Sequence, residues 1–183
     1  MIKVLTEKDT DAFIQLRIQG LQKSPQVFAA SYQKVGERDQ TFINLKNWTE
    51  EYFVLVFFED WQLFGIVGFV RERKLKKMHK SFIWGMYVRP DFRGKGIAKK
   101  LLLEVIIKAK KIEGLSKIML SVTHPQENAL QFYELLGFEK YAVENDAIRL
   151  DGQKIDEIFM SLQIWWKISD KMMNEKLFYE VCS

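Results

Sequence analysis

Cysteine, histidine and proline are all scarce in this chain: 183 residues contain Cys182, two histidines and three prolines. One thiol cannot close an internal disulfide, and with two histidines it cannot complete a Cys/His metal cage, so neither a disulfide scaffold nor a metal site is expected. Long apolar runs are missing too. The longest, residues 53–58, ends at Glu59-Asp60, far short of the ~20 residues that cross a bilayer. The amino end, Met1-Ile2-Lys3-Val4-Leu5-Thr6-Glu7, meets acid before an apolar signal core can build. A cytoplasmic protein without a membrane partner is expected.

What is present suits one folded unit. A composition 48% hydrophobic and 28% charged buries enough surface to exclude a disordered or collagen-like chain, and the length fits a single domain. The 28 basic and 24 acidic residues leave a net charge of +4, a small excess that suits an anionic small ligand better than nucleic acid. No nucleic-acid partner is expected.

Residues 2–5 read as a strand. Thr6-Glu7-Lys8-Asp9 has the spacing of a capping box opening a helix to about Gly20. Ser24-Pro25 breaks that helix, and residues 27–32 suggest a further helical turn or two before irregular sequence to Trp48. Residues 53–58 and 63–71 read as an antiparallel hairpin joined by Glu59-Asp60-Trp61-Gln62, and residues 81–88 as the next strand. The basic stretch between them, with Arg71, Arg73, Lys74, Lys76, Lys77 and Lys80, reads as a solvated hairpin tip.

The strongest helical pattern lies at 96–112. Ile97, Leu101, Val105 and Ala109 recur every four residues, with Ala98, Leu102 and Ile106 beside them and lysines on the other face. Gly114 ends it, and a strand over 117–122 follows. Strand, helix and strand make a crossover whose two strands should be parallel. A helix over 127–136 and strands over 138–143 and 154–163, the latter pair around an Asp151-Gly152 turn, complete an α/β (α+β) chain. A mixed central sheet of about seven strands, with helices on both faces, is expected. Residues 1–163 form this domain. The extension 164–183, with Met173, Leu177 and Val181 at helical spacing, is expected to be a helix packed on the domain or on a second subunit of a homodimer.

The chemistry concentrates at Arg93-Gly94-Lys95-Gly96-Ile97-Ala98. This segment sits between a strand end and the start of the best helix, where backbone N–H groups lack intrahelical partners. Two glycines keep side chains out of the way of an anion, the helix dipole favours negative charge, and Arg93 and Lys95 add screening. The loop departs from the dinucleotide pattern, which wants a third glycine where Lys99 stands, and from the longer phosphate loop ending in Gly-Lys-Ser/Thr.

With Tyr87-Val88-Arg89-Pro90-Asp91-Phe92 before it and Lys99-Lys100-Leu101-Leu102 after it, this segment resembles the coenzyme A signature of the GNAT acetyltransferase superfamily. A second segment, Asn128-Ala129-Leu130-Gln131-Phe132-Tyr133-Glu134-Leu135-Leu136-Gly137-Phe138, resembles the same family. The resemblance spans roughly residues 2–163. It implies the GNAT fold, with a splayed parallel strand pair at the coenzyme. The loop Arg93 to Lys99 would hold the coenzyme pyrophosphate, and the main chain of Met86, Tyr87 and Val88 would meet the pantetheine arm. Asn128 would be a further coenzyme contact and Tyr133 the general acid. Read without the resemblance, Asn128 is a helix cap and Tyr133 a half-buried packing residue.

The activity this implies is transfer of acetyl from acetyl-CoA directly to a primary amine, on a small molecule or a peptide. Cys182 lies outside the resemblance and lacks an activating base, so a covalent acetyl-enzyme is not expected. An alkylamine with pKa ~10 must lose a proton before it attacks. Relatives often carry a glutamate on the strand corresponding to 81–88, and this stretch has no acidic residue. The base is left open between a water chain and a side chain. Asp156 and Glu157 are candidate pocket carboxylates, while His124 and His79 read as loop residues. That missing glutamate also keeps a second reading in view: a non-catalytic acyl-CoA sensor.

Overall fold

The computed structural model describes residues 1–23 and 49–164. The helical turns expected at 27–32, the irregular stretch to Trp48 and the helix expected in the carboxyl extension lie outside the described residues.

Seven strands form one sheet: β1 (Ile2–Val4), β2 (Tyr52–Glu59), β3 (Gln62–Arg71), β4 (Lys80–Val88), β5 (Lys117–Thr123), β6 (Glu139–Leu150) and β7 (Gln153–Gln163). Their order is β1-β2-β3-β4-β5-β7-β6. All pairs are antiparallel except β4 with β5. Of the helices, α1 spans Thr10–Lys23, α2 Ile97–Ala109 and α3 Glu127–Leu135. A parallel pair needs a crossover, and α2 supplies it between β4 and β5.

Alternation along the strands distributes side chains to two cores. On β2, Phe53 and Leu55 join Leu101, Leu102, Val105, Leu130 and Tyr133 under α2 and α3, whereas Val54 and Val56 join Phe13 and Leu16 under α1. Helices thus cover both faces, as the periodicity requires. The two tight hairpin turns use left-handed backbone, at Asp60-Trp61 (φ 47° and 64°) and Asp151-Gly152 (φ 50° and 79°), because mirror-type turns match the strand twist.

Three expectations change. First, α1 runs through Gly20 to Lys23. Gly20 is a packing position, since a β-carbon there would lie 3.2 Å from the Tyr87 ring. The capping segment itself works as expected, with Thr6 N–H and Oγ donating to Asp9 Oδ2 at 3.0 and 2.6 Å. Burial alone would raise the Asp9 carboxyl, but hydrogen bonds from Lys3 and Thr6 outweigh it and hold the group below its ordinary value.

Second, Arg71 is no part of a solvated tip. It is only 9% exposed, pairs with Glu51, and donates to Met78 O at 2.6 Å and Glu113 O at 2.8 Å. It ties the β3–β4 connection to the end of the crossover. Third, β6 continues to Leu150, well past the 143 expected from its pattern. A register shift between Glu144 and Ile148 absorbs the polar Asn145-Asp146 segment. There Asp146 takes φ 55° and its N–H donates to Asp156 Oδ1 at 2.9 Å.

Candidate functional site

The parallel pair is short. β4 and β5 are in register only at Lys80/Lys117, Ser81/Ile118 and Phe82/Met119. Beyond that point β4 stays with β3 as far as Val88, and β5 stays with β7 as far as Thr123. The two strands therefore separate, and Gly85 accounts for the bend. In the β3–β4 register, Ile66 faces Tyr87 and Gly68 faces Trp84, so two residues of β4, Gly85 and Met86, oppose Val67 alone. Gly85 adopts φ +62°, the left-handed backbone that glycine takes at such a bulge, and a bulge bends its strand and increases its twist. A lone glycine inside a strand pattern was the available sign of it.

Between the separated strands lies a cavity of about 960 Å³. One wall is β4 from Phe82 to Val88, the other β5 from Leu120 to Thr123 with Glu157 of β7. Its further lining comes from Arg93, Gly94 and Ala98 at the start of α2, and from the α3 segment that includes Asn128, Phe132 and Tyr133. Of the residues the sequence singled out, Met86, Tyr87, Val88, Arg93, Gly94, Ala98, Asn128 and Tyr133 therefore share one cavity. Lys95, Gly96, Ile97 and Lys99 do not line it. Ile97 is a core residue, 4% exposed, and Lys95 Nζ sits 4.4 Å from the Phe92 ring centroid.

The turn into α2 is open. Gly94 and Gly96 have φ +76° and +74°, and a β-carbon on either would meet nothing within 4 Å. The first helical bond of α2 runs from Lys100 N–H to Gly96 O, so the N–H groups before it lack intrahelical acceptors. Arg93 braces the turn by donating from Nε to Val88 O at 3.1 Å. Arg89 braces its approach: it pairs with Asp91, which holds that carboxyl below its ordinary value, and its guanidinium lies 4.9 and 5.0 Å from the Phe64 and Phe92 rings. Two open glycines at the positive end of a helix fit a phosphate group.

At α3 the cap is Gln126 and not Asn128. Ala129 and Leu130 N–H both donate to Gln126 O, and Gln126 Nε2 donates to Thr123 Oγ1 at 2.6 Å. Asn128 stands free of capping, exposed at the cavity's edge. Tyr133 is 8% exposed, wedged edge-on between Phe132 and Phe138 at 5.2 and 5.7 Å. Burial pushes its phenol well above the ordinary tyrosine value.

The paired acids on β7 separate. Asp156 anchors the β6 bulge, whereas Glu157 lines the cavity and accepts from Ser121 Oγ at 2.9 Å. His124 does not line the cavity and is 52% exposed at the side chain. Trp84, Ser121, Thr123 and Phe132 line it without having been singled out from sequence.

Known proteins resemble the chain in sequence and in fold. The sequence profile of the acetyltransferase (GNAT) family matches residues 21–138. An uncharacterized N-acetyltransferase of Methanocaldococcus jannaschii is 28% identical over 161 residues, which is 81% of this chain and 65% of that protein. The chain thus spans about two thirds of that relative's length. Among solved structures, the ribosomal-protein-alanine N-acetyltransferase of Brucella melitensis superposes with a TM-score of 0.77 at 20% identity, covering 90% of this chain and 99% of its own. A Salmonella typhimurium protein solved with its cofactor acetyl-CoA gives 0.73 at 18% identity, covering 92% and 96%.

Proposed function

The chain belongs to the acetyltransferase (GNAT) family, and from that premise we propose that it moves an acetyl group from acetyl-CoA directly to a primary amine. One observation carries the reading. β4 and β5 part into a cavity lined by Gly94, the first glycine of the open turn, and by Tyr133. A pyrophosphate would lie on the N–H groups of that turn, from Arg93 to Lys99. The pantetheine arm would fill the gap as an added strand, because among the described residues β4 and β5 do not pair with each other beyond Phe82 and Met119. Main-chain groups of Met86, Tyr87 and Val88, with Asn128 opposite, would hold it in place. Acetyl-CoA supplies the thioester, an acyl group already activated for attack.

In the reaction the amine nitrogen forms a bond to the acetyl carbon, and the carbon–sulfur bond breaks with its electron pair going to sulfur. Tyr133 hands its proton to that sulfur and recovers one from the new amide nitrogen. Its raised pKa keeps the phenol protonated at neutral pH. Transfer is direct, through no acetylated residue.

A thiol-release assay with the full chain, acetyl-CoA and a panel of amines tests this. The panel includes a peptide with an N-terminal alanine, the acceptor class named for the Brucella protein. Coenzyme release that depends on the amine is expected. Binding of acetyl-CoA with no release above background for any amine would make the chain an acyl-CoA sensor.

A further inference from the structure

The residues that line the cavity come from both faces of the sheet. Leu120 and Val122 of β5, like Ile158 and Met160 of β7, belong to the core under α2 and α3. Ser121 and Glu157 alternate with them and so point to the opposite face. They meet there, with Ser121 Oγ donating to Glu157 Oε1 at 2.9 Å, and both line the cavity. The open turn into α2 and the residues of α3 lie on the α2 and α3 side. Backbone N–H donors thus mark one side of the gap, and a carboxylate marks the other.

We infer that Glu157, steered by Ser121, receives the acceptor as an ammonium ion and takes the proton it must lose before attack. The inference rests on the acetyl-transfer reading above and assigns the base that the strand 80–88 does not supply. An alkylammonium, with a pKa of ~10, has no lone pair for the acetyl carbon. A proton passes from nitrogen to a carboxylate oxygen of Glu157. The nitrogen–hydrogen bond breaks with its electron pair left on nitrogen, and that pair forms the new carbon–nitrogen bond. Glu157 then releases the proton to solvent.

Ser121 occupies Oε1, which turns the carboxylate and leaves Oε2 for the incoming group. Glu144 lies directly opposite Glu157 on β6, and among the described residues the other carboxylate lining the cavity is Glu127 of α3. Like charges nearby favour a cation at Glu157. Phe82 of β4 lines the same cavity and offers aromatic surface to an apolar stem, while Trp84 beside it carries the Arg17 guanidinium 5.4 Å from its ring centroid. The acceptor class is therefore a strongly basic primary amine on an apolar stem, in preference to a hydroxyl or to a nitrogen already neutral at physiological pH.

The test compares two acceptors on the full chain at neutral pH: an alkylamine, and an alkoxyamine that carries no charge. In Glu157→Gln, kcat/KM for the alkylamine should fall roughly 10²-fold or more, the alkoxyamine should lose far less, and acetyl-CoA affinity should hold. Ser121→Ala should show the same preference with a smaller loss. Equal losses on both acceptors, or none on either, overturn the assignment. Should the Gln variant fail to bind acetyl-CoA, Glu157→Asp decides: it keeps the charge but retracts it, so a partial loss confined to the alkylamine supports the role and an equal loss opposes it. A wild-type chain that binds acetyl-CoA and acetylates neither amine fails at the acetyl-transfer reading itself, and the assignment falls with it.

Discussion

Tyr133 carries a ring and a hydroxyl whose jobs separate. The ring is held edge-on by Phe132 and Phe138, contacts that phenylalanine would keep. Tyr133→Phe should therefore leave acetyl-CoA affinity and folding nearly intact while lowering kcat. General acid catalysis is worth ~10² to 10⁴ in rate, and a coenzyme thiol leaves fairly well unaided, so the lower end is expected. Steady-state kinetics with a calorimetric titration of acetyl-CoA checks this, and full activity would return Tyr133 to packing. Gly96 poses the converse case. A side chain at φ +74° is strained but meets open space, so Gly96→Glu should fold, at a backbone cost of ~1 to 2 kcal/mol. Its carboxylate would then repel phosphate, and acetyl-CoA affinity should drop well beyond that of Gly96→Ala, which shares the strain without the charge. Equal affinities for the two variants would take the turn out of the binding site. At this scale the open turn was legible because its chemistry is local backbone. The different fates of Asp156 and Glu157 were not, because adjacent residues of a strand face opposite layers and only the neighbouring strands say which layer holds the cavity.

Elements show where local pattern ends and long-range contact begins. Residues 71–80 looked like a uniform basic connection, yet Arg71 is buried by groups 20 and 42 positions away. Replacing it with methionine keeps the stem but leaves the Met78 and Glu113 carbonyls without their donor. Arg71→Met should lower stability by about 1 to 3 kcal/mol, the usual cost of unsatisfied buried polar groups. The Glu51 pair adds little, since that carboxylate is 48% exposed. Urea unfolding measures the loss, and an unchanged midpoint would place Arg71 with the solvated lysines. The strand β6 makes the complementary point. Its polar Asn145-Asp146 segment reads as a break, but the Asp146 N–H finds the Asp156 carboxylate on β7, so the hairpin absorbs a bulge and continues. Amphipathic α2 was the easiest element to place, because a four-residue recurrence is written wholly within its own turns.

Across the whole molecule, the two halves of the sheet join through only three residue pairs of β4 and β5, and the cavity begins where those pairs stop. A ligand bridging the gap should couple the halves. Acetyl-CoA at about a hundred times its dissociation constant should add roughly 2.7 kcal/mol of stability, seen as a rise in Tm. Hydrogen exchange should slow at residues 83–88 and 120–123 together. Protection of one lip alone would mean that the arm does not span the gap. The sequence by itself determined most of the described elements, the crossover and hence the parallel pair, and the glycine turn, since each depends on periodicity or backbone chemistry within a few residues. Tertiary structure alone decided that β7 lies between β5 and β6, that Gly85 bends β4 away from β5, and that Ser121 meets Glu157 from 36 positions away. Alternation tells which side chains of a strand share a face, but hydrogen bonding between strands far apart in the chain selects the neighbour that faces them.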